Sequence, residues 1–175
     1  MERIGPLAKC APPLRSSADQ DSLWEHLDEI TTIGSDHSPS PPEMKQHENF
    51  FEVWGGISGC QHLLPLLIDA GAKKQNKLTS QRIISLTSQN VVRRFGLAHK
   101  GEIAAGRDAD FTLVDPRAQE TVSVEGLHYR HRQSPYVGQT LQGRVLRTIL
   151  RGQTVFHDGK FPARPFGKFV RPDRS

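Results

Sequence analysis

Apolar positions along this chain change their period near residue 100. Leu23, Trp24 and Leu27 recur at helical spacing within Ser17 to Glu29, and Ser17 or Asp19 is placed to cap, which predicts a short amphipathic helix. The β-branched, uncharged run Ile30-Thr31-Thr32-Ile33-Gly34 predicts a buried strand. It is cut off by Ser35-Asp36-His37-Ser38-Pro39-Ser40-Pro41-Pro42, a polar and proline-stiffened loop. Leu63, Leu64, Leu66, Leu67 and Ile68 predict a buried helix over residues 60–70, with Gly71 as its stop. Residues 79–95 read as two consecutive helices, the second capped at Thr87 or Ser88 and ended by Gly96. After Lys100 strands dominate: Phe111 to Val114 before the breaker Asp115-Pro116, then Leu146 to Leu150 and Thr154 to His157, with Asp158-Gly159 as a hairpin turn.

Composition narrows the class. At 175 residues the chain is shorter than the roughly 250 of a complete (β/α)₈ barrel. Its 35% hydrophobic share supports a modest core. No stretch approaches the ~18 consecutive apolar residues of a membrane span, and the first fifteen residues have no long apolar run of the secretory kind, so the expected compartment is the cytoplasm. Cys10 and Cys60, fifty positions apart, read as free thiols and make neither a disulfide framework nor a metal knuckle.

The net charge of +4 divides unevenly. Residues 126–175 hold ten Lys/Arg and two Asp/Glu, net +8, which leaves 13 against 17, net −4, for residues 1–125. With Tyr129, Tyr136, Phe156, Phe161, Phe166 and Phe169 interleaved, the basic stretch could face nucleic acid, or serve a non-catalytic interaction. Its cations are spaced rather than blocked, however. Arg144, Arg147 and Arg151 alternate with apolar residues as solvated charges on a half-buried strand do.

Among groups able to do chemistry, Asp36 stands out, because the C-terminal end of a buried strand is where α/β sheets collect catalytic groups. On the local pattern alone a plainer role, capping its own loop through backbone N–H groups, is the favoured one. His37 reads as a hydrogen-bonded loop residue. His128 and His131 form an HxxH pair in a polar stretch without the helical frame that zinc ligation would need. No nucleophile elbow and no phosphate loop is present.

Four segments in this order and spacing, Lys9 to Arg15 (KCAPPLR), Gly34 to Pro39 (GSDHSP), Trp54 to Gln61 (WGGISGCQ) and Lys100 to Pro116 (KGEIAAGRDADFTLVDP), resemble the C-terminal part of the cyclic amidohydrolases. That group comprises allantoinases, dihydropyrimidinases (hydantoinases) and dihydroorotases. The cysteine in KCAPPLR, the SDHSPS loop followed by Glu43-Met44-Lys45, and the glutamine after WGGISG are most similar to allantoinases; a hydantoinase-like enzyme is the alternative. Ser40 stands where dihydroorotases usually have a histidine.

The resemblance implies an α/β fold, the C-terminal fragment of a metal-dependent-hydrolase (β/α)₈ barrel followed by part of a small β-sandwich. Residues 1–98 would be the last barrel strands and helices, 99–160 the sandwich segment, and 161–175 an irregular basic tail. It further implies a binuclear centre, commonly zinc, whose bound hydroxide attacks a cyclic amide. Asp36 would ligate one metal and carry the proton, and backbone groups at Ala11 and Gly55 would hold a small-molecule cyclic ureide. Arg15 has no role beyond loop packing. Asp108 and Asp110 would shape a turn while Phe111, Leu113 and Val114 enter the sandwich core. The implied reaction opens allantoin to allantoate in purine catabolism, in a full-length form that is a homo-oligomer. The family's other metal ligands lie upstream of the matching region, so the isolated chain is expected to be inactive.

Overall fold

The computed structural model describes residues 4–74, 77–162 and 164–172. A helical half leads into a three-stranded antiparallel sheet. Helix α1 (Ser17–Glu25) is capped one residue earlier than the apolar spacing suggests: the Ser16 hydroxyl accepts the Asp19 N–H, and the Asp19 carboxylate accepts the Ser16 N–H at 3.1 Å. Its polar face leaves no residue of α1 buried, and the chain turns through a 3₁₀ segment at Leu27–Glu29, where Leu27 enters the core.

Residues 30–34 run extended but form no strand ladder among the described residues. A strand exists only where another backbone lies about 4.8 Å away to pair with it. Here the neighbours are helices: the Ile33 N–H donates to the Leu86 carbonyl at 3.0 Å, and Asn90 Nδ2 donates to the Thr31 carbonyl at 2.9 Å. Helix α2 (Leu63–Lys73) accommodates Pro65 in its first turn, where its missing N–H is not needed. It runs through Gly71 instead of stopping there. A side chain at Gly71 would overlap the Leu78 carbonyl, so glycine serves close approach rather than termination.

The two helices expected over 79–95 are one continuous rod. Helix α3 (Ser80–Ile84), capped by Thr79, passes through a π turn at Ser85–Gln89 into α4 (Asn90–Phe95). Thr87 does not cap; its hydroxyl donates back to the Ile83 carbonyl at 2.7 Å. Gly96, in the left-handed region at φ 63°, ends the rod.

The sheet has the order β1-β2-β3, with β1 (Phe111–Thr121), β2 (Thr140–Leu150) and β3 (Gln153–His157). Asp115-Pro116 does not break β1. The register instead jumps from Asp115↔Arg144 to Gln119↔Gln142, and the Asp115 carboxylate accepts the Arg117 and Ala118 N–H groups, so a bulge absorbs the proline. Asp158-Gly159 makes the expected hairpin turn, with φ 48° and 80° and a His157↔Lys160 bridge.

Two small cores share α2. Leu27, Leu78, Ile83 and Leu86 gather Leu64, Leu67 and Ile68 from it. Val122, Leu127 and Leu141 gather Leu66, together with Tyr129 and Tyr136. Leu113 belongs to neither core and is 45% exposed, contrary to the expectation that it enters a sandwich interior. The described residues contain a single sheet, so no second layer covers its side chain. Asp108 and Asp110 do shape the turn into β1: both accept from Lys100 Nζ, at 2.7 and 2.6 Å, and Asp110 also takes the Arg151 N–H at 2.7 Å. No helix among the described residues is long and apolar enough to cross a membrane.

Candidate functional site

Three loops converge on the region the motifs single out: residues 9–15, 34–45 and 54–61. Glycine makes the second and third fit. A Cβ on Gly56 would lie 2.5 Å from the Ser38 carbonyl, and one on Gly59 would lie 2.7 Å from the Ser35 carbonyl. The backbones therefore touch, and the Ser38 N–H donates to the Ile57 carbonyl at 2.9 Å. The first loop joins them through Ala11, whose Cβ lies 3.4 Å from the Cβ position of Gly55. Ala11 and Gly55 are thus neighbours, although 44 positions apart in sequence.

Asp36 is held at φ 43°. Only two other described non-glycine residues have positive φ, Arg151 and Asp158, and both sit in the turns flanking β3, where that geometry is ordinary. Asp36 is not in such a turn. Its carboxylate is exposed and takes no hydrogen bond or ion pair from any described residue, so it does not cap its own loop. Aspartate enters this region more readily than most residues, and here it does so with its carboxylate unengaged.

His37, beside it, is engaged. Its Nδ1 accepts the Gly59 N–H at 3.0 Å, which assigns the ring proton to Nε2. The ring packs against Tyr129, with centroids 5.2 Å apart. Residues 126–134 in turn form a strap beneath the loops. The Tyr129 hydroxyl accepts the Gln61 N–H at 3.1 Å, Gln61 Nε2 donates to the Gly126 carbonyl at 2.8 Å, and Gln133 Nε2 donates to the Ser40 carbonyl at 2.6 Å. Burial pushes the Tyr129 hydroxyl up to about 12, against the Gln61 N–H, which acts to lower it. The buried His62, whose Nδ1 lies 3.4 Å from that hydroxyl, is pushed below the usual imidazole range, chiefly by desolvation and secondarily by His128.

Reading by residue type overlooked Tyr129, Gln133 and His62, since none belongs to a metal or nucleophile pattern. His128 does not act with His131: its ring packs edge-on against Phe161 and Phe156, at 4.8 and 6.1 Å. Arg144 pairs with Asp158, Arg147 with Thr154, and Arg151 reaches the Phe166 carbonyl, so these cations of the basic half are engaged within the chain.

Asp36, Ala11 and Gly55 thus lie on three loops that pack against one another. The chain belongs to the amidohydrolase family, whose profile matches residues 10–155. An allantoinase from Rubrobacter xylanophilus is 53% identical over 174 residues, and one from Escherichia coli 42% identical over 172, covering 98% and 97% of this chain. The chain spans only 38% of the length of either relative. Among solved structures, an L-hydantoinase from Arthrobacter aurescens superposes with a TM-score of 0.89 at 32% identity, over 97% of this chain and 39% of that one. A D-hydantoinase from Thermus sp. superposes at 0.85 and 30% identity. The fold is accordingly that of a little over a third of an amidohydrolase.

Proposed function

We propose that this chain is the part of a cyclic-amide hydrolase that supplies the proton carrier and one wall of the substrate site, with allantoin as the substrate, opened to allantoate. The observation that carries this reading is Asp36, held left-handed with a free carboxylate, in a chain 53% identical to an allantoinase. Water adds through its oxygen to a ring carbonyl carbon, and the carbon–nitrogen bond of that amide breaks. The proton shed by the water passes to the Asp36 carboxylate and from there to the departing nitrogen, so one carboxylate serves as base and then as acid. Ala11 and Gly55 offer main-chain groups to the ureide.

The binuclear zinc centre that the family resemblance implies does not fit on this chain alone. Among the described residues no three His, Cys, Asp or Glu side chains come together, and Asp36 is the one ligand the chain would contribute. A cytoplasmic setting, purine breakdown and a homo-oligomeric full-length form belong to the same proposal.

The test is a chimaera in which these residues replace the matching segment of the Rubrobacter allantoinase. It is expected to hydrolyse allantoin, and Asp36→Asn is expected to lower kcat by at least about a hundredfold, the scale of a lost general acid–base, with thermal stability unchanged. A folded chimaera that opens hydantoin but not allantoin would shift the reading to a hydantoinase.

A further inference from the structure

Lys45 is a charged side chain that the reaction does not use, and it is 6% exposed. It follows the Asp36 loop in a 3₁₀ turn, Pro42–Lys45. Its Nζ donates to the Lys9 carbonyl at 2.9 Å and to the Trp54 carbonyl at 2.8 Å, and no carboxylate pairs with it among the described residues. Those carbonyls are not arbitrary acceptors. Lys9 lies two residues before Ala11, and Trp54 directly precedes Gly55. A second lysine extends the fastening: Lys9 Nζ donates to the Phe50 and Phe51 carbonyls at 2.7 and 3.0 Å and lies over the Phe50 ring.

A buried ammonium without a counter-ion is costly unless its protons are well placed, and a charged donor makes about twice the bond of a neutral one. Apolar packing could fill the space but could not hold two carbonyls at a fixed separation. We infer that Lys45 is a positioning residue, which clamps the loop carrying Ala11 and the loop carrying Gly55 to the base of the Asp36 loop, and so sets the width of the ureide cradle. The clamping rests on geometry alone; the cradle rests on the function proposed above.

Amide hydrogen exchange on the full chain separates the two. In Lys45→Met, exchange at the Lys9 and Trp54 amides, which donate to the Pro6 and Met44 carbonyls, is expected to rise together by about tenfold or more. The β1–β2 ladder should stay as protected as in the wild type. Lys45→Arg, which keeps a charged donor, is expected to restore most of the protection. Exchange that is unchanged at both amides, or raised at only one, overturns the clamp. Should Lys45→Met fail to fold, Lys45→Gln is read by the same criteria. Allantoin added to the wild-type chain is expected to slow exchange at Ala11 and Gly55 and to do so less in the variant. If it has no effect on the wild type, the substrate reading fails while the clamp stands on the first measurement.

Discussion

Asp36 and His37 are adjacent in sequence and opposite in circumstance. One carboxylate is left without a partner, while the neighbouring imidazole is fixed by a backbone N–H on one side and the Tyr129 ring on the other. Behind them, His62 carries a consequence for pH. Its folded pKa lies below the unfolded value near 6.5, so the unfolded chain takes up a proton that the folded chain refuses. Stability is therefore expected to be full above about pH 6.5 and to fall as the solution is acidified below it. Urea midpoints between pH 7.5 and 5 should show this decline, and His62→Gln, which cannot titrate, should flatten it. Both SDHSP and the run of prolines in KCAPPLR were legible as loop chemistry. His37 was also legible as a hydrogen-bonded loop residue; that its partner is Gly59, 22 positions away, and that Asp36 would be free, was not.

The turn into β1 depends on one cation between two carboxylates. Burial works to lower the Lys100 pKa, but its hydrogen bonds to Asp108 and Asp110 outweigh that and raise it; the bond from Lys100 lowers Asp108 in return. The raised lysine contributes stability that is complete below about pH 10.5 and is lost as pH climbs through its folded pKa. The lowered aspartate contributes above about pH 4 and is lost on acidification through its own. Lys100→Met is thus expected to destabilise the chain between those limits and to matter least beyond them, as thermal unfolding across pH would report. The two aspartates of the DAD motif were expected to shape a turn; Lys100 as the cation that holds them is a tertiary fact. Helix α2 shows a similar division. Its run of leucines predicts a buried helix, yet those leucines are only partly buried and Gly71 alone in the helix is buried; Gly71 passes for a stop until the Leu78 carbonyl is seen against it.

Across the chain, apolar side chains remain uncovered. Phe51 is 90% exposed, and Leu113 lies open on β1, an outer strand of the sheet. An unpaired strand edge beside apolar surface is a template for association. The isolated chain is expected to self-associate with rising concentration, which light scattering after size exclusion will measure, and Leu113→Lys should shift the balance towards monomer. The same exposure accords with relatives more than twice as long, of which this chain spans 38%. The resemblance marks Phe111, Leu113 and Val114 as sandwich core, and among the described residues no second sheet covers Leu113.

Local chemistry was enough to recognise the loops and the β-rich second half, because prolines, glycines and hydrophobic period act over a few residues. It was enough, too, to carry the family resemblance, which rests on short motifs in order. Strand pairing, the unbroken α3–α4 rod, the strap beneath the loops and the Lys45 fastening were decided only in three dimensions. The β1–β2 pairing, the strap and the Lys45 fastening depend on partners well away in sequence, and Ile30 to Gly34 stays extended because no strand neighbours it among the described residues. Hydrogen bonds and packing are satisfied by whatever the fold brings close, and closeness is a property of the whole chain.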